Sequence, residues 1–170
     1  FAVNNSFVSI VNPVRGSDFW DIKDQQPETA VVGQINILKS FNLSATWLLR
    51  FDALENRNII NELKSRPLDE KGLFLEVTPT WAVQAGVAYR KSNSWHNAGS
   101  AFLTGYERPE REKLIDTAFE KFKSIWGSYP LSVGAWWIDS YSLDYMQKKY
   151  GIIGGLIVAD QYTTDNYQIW

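Results

Sequence analysis

Three carboxylates stand where short apolar runs end, and they are the residues of this chain best placed to do acid–base chemistry. Glu76 lies between Leu75 and Val77, Asp139 follows Trp136-Trp137-Ile138, and Asp160 follows the apolar run from Ile152 to Ala159. Glycoside hydrolysis needs two such groups, one to protonate the leaving oxygen and one to act as base or nucleophile. Glu76 with Asp139 or Asp160 is therefore the candidate catalytic pair. Each of the first two also has a structural alternative. Asp139 directly precedes a helix-like segment and suits an N-cap, where its carboxylate would accept backbone N–H groups. An acid flanked by apolar strand residues needs a partner once buried, and Arg50 on the neighbouring strand is the natural one for Glu76.

Residues suited to holding a substrate gather at the same run ends. Trp136 and Trp137 belong to a set of eight tryptophans, and broad aromatic faces stack on the C–H surfaces of sugars as they do on other apolar faces. Neighbouring strand residues point to opposite sides, so at most one of the two lines a ligand. Asn12 and Arg15 follow the first apolar run, and His96 sits in a polar loop. These five are the candidate substrate-binding residues. Asp18, Arg50, Asp52, Thr78 and Asp165 are delivered to the same run ends.

His96 is the sole histidine and there is no cysteine, so no spacing here supplies a zinc-type ligand set. No metal or other cofactor is expected. The segment 160–166 is rich in oxygen ligands but lacks the alternating acids, glycine and terminal glutamate of a calcium loop, and reads as a polar turn. Walker loop, dinucleotide fingerprint and Gly-x-Ser-x-Gly elbow are all missing, which removes support for phosphoryl transfer, NAD chemistry and triad hydrolysis.

The elements that must position these residues alternate between strand and helix. Apolar runs at Phe7 to Val11, Ala45 to Arg50, Gly72 to Val77, Leu131 to Ile138 and Ile152 to Ala159 predict five strands. Between them, helical patterns span Glu28 to Ser40, Asn58 to Lys64, Pro109 to Trp126 and Asp139 or Ser140 to Tyr150, with one helical turn at Trp81 to Ala85 and a long polar loop from there to Arg108. Strict alternation of this kind predicts an α/β fold with a mainly parallel sheet and crossover helices, in which ligands meet the carboxyl ends of the strands. About five strand–helix units fit an incomplete barrel or an open sheet. The reading is one barrel-like domain over residues 1–170, as a fragment of a longer barrel or complete in itself.

With 45% hydrophobic and 21% charged residues, the 170-residue chain has ordinary globular composition. Its formal charge of -2 gives no electrostatic footprint for nucleic acid, and no apolar stretch is long enough to span a bilayer.

The order of these pieces resembles the polysaccharide-deacetylase homology domain of the glycoside hydrolase/deacetylase (β/α) barrel superfamily. The likeness rests on the opening strand with its polar end, on Ala45-Thr46-Trp47-Leu48 and on the strand opening Gly72-Leu73. It implies a seven-stranded type of barrel when complete, a carbohydrate-facing rim, a glycan ligand, further domains of a longer chain as partners and a location outside the cell or in its envelope. The family's catalytic motifs do not carry over. Asn12-Pro13 stands where two aspartates are expected, Phe74 and Thr78 where two metal-binding histidines are expected, and Ala135-Trp136-Trp137 where an arginine–proline motif is expected. Three functional readings stay open: a carbohydrate-active or carbohydrate-binding barrel without the metal site, a non-catalytic interaction module, and a metal-dependent deacetylase completed by residues outside this chain.

Overall fold

Five short strands pair in sequence order, all parallel, into one curled sheet. In the computed structural model, which describes residues 8–19, 26–92 and 97–157, they are β1 (Val11–Val14), β2 (Thr46–Leu49), β3 (Glu70–Phe74), β4 (Ser132–Gly134) and β5 (Gly154–Leu156). The helices are α1 (Glu28–Ser40), α2 (Phe51–Glu55), α3 (Arg57–Lys64), α4 (Pro79–Gln84), α5 (Ala98–Ala101), α6 (Arg108–Trp126) and α7 (Ser140–Tyr150), with a 3-10 turn at Leu103–Gly105. The expected parallel α/β half-barrel is what forms.

The two-residue strand period sorts the side chains. Trp47 and Leu49 of β2, Leu73 of β3 and Val133 of β4 belong to the core beneath the helices, together with Ile35, Ile59, Leu63, Leu114, Phe119 and Met146. The alternate positions, Leu48, Gly72, Phe74 and Gly134, face the inside of the curl. Two of these have no side chain for a steric reason. A Cβ on Gly72 would lie 2.5 Å from Ser132 O and 2.8 Å from Leu48 Cδ2, and one on Gly134 would collide with Leu48 Cδ1. Leu48 thus fills the interior between two glycines, and it is fully buried.

Tryptophan N–H groups tie the layers together where their rings are buried, as buried polar groups require. Trp81 stacks on Phe51 at 5.9 Å and donates to Leu114 O at 2.8 Å, joining α4 to α6. Trp47 donates to Asp69 Oδ2 at 2.8 Å, and the same carboxylate is held by Arg66.

Several strands are placed differently from the sequence expectation. β1 covers Val11–Val14, and Asn12-Pro13 does not end it. The bonds of β1 to β2 use Ile10 O and Val14 O, so the odd position of Pro13 faces an edge that requires no N–H donor. β3 begins and ends earlier than Gly72 to Val77, because the chain leaves the sheet after Leu75 and Val77 N turns to Ala101 O. β4 and β5 are each three residues long. The helices α1, α3, α6 and α7 match expectation to within a residue, whereas α2, directly after Arg50, was not foreseen. The long loop contains α5 and the 3-10 turn.

Candidate functional site

Two residues beyond the inward positions Pro13, Leu48, Phe74 and Gly134 come Arg15, Arg50, Glu76 and Trp136. One side chain from just beyond the end of each of four neighbouring strands thus lies at the mouth of the curl, and these four meet. Glu76 is at their centre. Arg15 Nη2 donates to its Oε2 at 2.7 Å and Arg15 Nε reaches both oxygens at 3.2 and 3.3 Å. Arg50 Nη1 donates to Oε1 at 2.5 Å, and Trp136 Nε1 donates to Oε2 at 3.2 Å. Glu76 retains 2% of its exposure and Arg50 1%.

The network extends to the start of α2. Asp52 grips Arg50 through two 2.7 Å bonds, and it accepts the Asp18 backbone N–H at 3.1 Å. Asp18 in turn accepts Thr80 Oγ1 at 2.9 Å, which fastens the loop after β1 to α4. Gly16 is needed in that loop, since a Cβ there would lie 2.7 Å from Asp52 Cγ. The Arg15 guanidinium packs beside two adjoining rings, 5.4 Å from that of Phe74 and 5.6 Å from that of Trp136.

Burial raises the Glu76 pKa, but the hydrogen bonds of Arg15 and the charges of Arg50 and Arg15 outweigh it and hold the carboxyl below its ordinary range. For Asp52, too, burial acts upward and is overcome by the bonds and charge of Arg50 and the amides of Asp18 and Gly16. Arg50, which burial alone would push down, is driven up by Asp52 and Glu76. A general acid at neutral pH requires the opposite, a carboxyl raised by its surroundings.

The other candidates are dispersed. Asp139 caps α7, accepting Ser142 N at 2.9 Å and Ser142 Oγ at 2.7 Å, and pairs with Arg111 at 3.0 Å. This is the helix-cap alternative weighed from the sequence, and its bonds are separate from those of Glu76. Asn12 pairs in register with Trp47 and so belongs to the helix-facing side of β1; its Nδ2 is buried with no hydrogen-bond partner among the described residues. Trp136 is 43% exposed at the rim, and Trp137 beside it is partly buried. His96, Asp160 and Asp165 lie outside the described residues. Sequence reasoning weighed Arg50 as a partner for Glu76 but missed the bidentate Asp52 and the second arginine. Counting two residues past each inward strand position would have found the four central residues.

Among the described residues no three His, Cys, Asp or Glu side chains converge as a metal-ligand group. The donor set at the rim does not fit a divalent cation, because Glu76 and Asp52 are already held by guanidinium groups that would repel it and Asp18 is turned to Thr80.

No family model matches the chain, and no curated protein matches it either. The fold has counterparts among solved structures. The peptidoglycan deacetylase PdaC from Bacillus subtilis superposes with a TM-score of 0.55 at 16% identity, over 95% of this chain and 65% of that one. A point-substituted variant of PdaC gives 0.53 at 15% identity over the same shares. The chain thus spans about two thirds of that protein's length, with 65% covered. At these identities the likeness is one of fold: the chain is similar to a peptidoglycan deacetylase in the parallel half-barrel that carries its rim.

Proposed function

We propose that this chain is a carbohydrate-binding half-barrel whose rim holds a glycan without metal and without turnover. The observation that carries this reading is the state of Glu76. An ionised carboxylate enclosed by two arginines and an indole N–H has neither a proton to give nor a lone pair free to take one. What the rim does offer a ligand is the exposed Trp136 face beside Arg15, a platform for the apolar side of a sugar ring. The fold's likeness to a peptidoglycan deacetylase supports an envelope glycan as the ligand class and an envelope-facing location.

The test is titration of the purified protein with N-acetylated chito-oligosaccharides and solubilised peptidoglycan fragments, by calorimetry and by NMR. Alongside, released acetate and new reducing ends are measured. Saturable binding that weakens at least about ten-fold in Trp136→Ala, the loss of a contact worth about 1.4 kcal/mol, with no product formed, is the expected result. Acetate or reducing ends that appear with wild type and vanish with Glu76→Gln would overturn it in favour of a hydrolase.

A further inference from the structure

Within the binding reading above, we infer that the glycan is acidic and that Arg15 engages its carboxylate. Arg15, Arg50, Asp52 and Glu76 are joined by ion pairs as two positive and two negative charges, with Asp18 as a further carboxylate at the network's end, and they differ in exposure. The side chains of Arg50, Asp52 and Glu76 keep 1%, 5% and 2% of their exposure, whereas Arg15 keeps 31%. The part of the set that reaches solvent is therefore cationic. The guanidinium is also only half used. Its Nε and Nη2 are committed to Glu76, and none of its hydrogen bonds to described residues employs Nη1.

The group is held ready for a ligand. Glu76 fixes one edge, and the adjoining rings of Phe74 and Trp136 support one side of the group, so less side-chain freedom is lost when an anion docks. The next acid along the loop, Asp18, is turned toward α4, where it accepts the N–H and hydroxyl of Thr80. A planar carboxylate meeting Nη1 while its sugar ring lies on the exposed indole of Trp136 satisfies both features at once, and a neutral sugar would leave the guanidinium edge facing the ligand unmatched.

The decisive experiment compares tri-galacturonate, its methyl ester and neutral N-acetylchitotriose on the wild-type protein by calorimetry. The acid should bind about ten-fold or more tightly than the ester, as a charge-assisted hydrogen bond provides. The advantage should shrink with added salt and disappear in Arg15→Gln. Equal binding of acid and ester overturns the inference and leaves the glycan-binding reading standing. Silence from all three, chitotriose included, together with silence from peptidoglycan fragments, overturns both. The acid–ester contrast uses wild type alone, so a folding defect in Arg15→Gln does not protect the inference.

Discussion

Replacing Glu76 with glutamine separates a structural carboxylate from a catalytic one. The amide is nearly isosteric, but one of its ends is a donor. At the Oε1 position that end would face Arg50 Nη1 across 2.5 Å, and at the Oε2 position it would face Arg15 Nη2 across 2.7 Å and Trp136 Nε1 across 3.2 Å. Either orientation opposes donor to donor and leaves two guanidinium groups to share the charge of Asp52. Removing one partner of a buried ion pair costs about 3–5 kcal/mol. Arg15 is partly exposed and regains some hydration, so the low end, about 3 kcal/mol, is expected. For a chain of this size each kcal/mol corresponds to roughly 2–4 °C, giving a fall in Tm of about 6–12 °C. Urea unfolding monitored by tryptophan fluorescence measures the free energy, and thermal melting followed by circular dichroism measures the Tm. Catalytic residues are commonly held at some expense of stability; a Glu76→Gln variant as stable as wild type, or more so, would refute the network argument.

Four further outcomes are expected. Acid should destabilise the fold: the folded pKa values of Glu76 and Asp52 lie below their ordinary 4.5 and 3.8, so the unfolded chain takes up protons first. The stability these groups contribute is full above about pH 5 and is lost as pH falls through the folded values, which unfolding midpoints from pH 7 to 3 would reveal. Asp139→Ala should cost about 1–2 kcal/mol through the lost cap of α7, with glycan affinity unaltered in calorimetry; a loss of binding without loss of stability would return Asp139 to the site. Gly72→Ala should destabilise by about 1–3 kcal/mol or more by overpacking against Ser132 and Leu48, read from urea midpoints. Trp136→Ala should cost about 1–3 kcal/mol, since it removes the indole N–H bond to the Glu76 carboxylate while the residue is 43% exposed, and on the proposed reading it also weakens glycan binding.

Local signals were enough for the four longest helices and for the class of fold. The apolar stripe, Pro109 in the first turn and Gly127 at the end mark α6 within one residue, and helix period and end signals are properties of neighbours in sequence. The alternation of five apolar runs with helices was likewise enough for a parallel sheet. Strand ends were legible less well, because a strand stops where its neighbour stops. Leu75 to Val77 is as strand-like as Leu73, yet the chain leaves the sheet there to bond Ala101, a residue distant in sequence. The acids at the rim were visible as residues, but their state was not. Whether Glu76 is a base or one half of an ion pair depended on Arg15 and Arg50, which lie 61 and 26 positions away. Charge pairing across strands is set by how the sheet curls, and the curl depends on two glycines letting Leu48 fill the interior. Sequence alone determined that four strands would carry Arg15, Arg50, Glu76 and Trp136 to one end. Only the tertiary structure decided that they close on one another, because burial and Coulomb energy act through distances that the linear order does not contain.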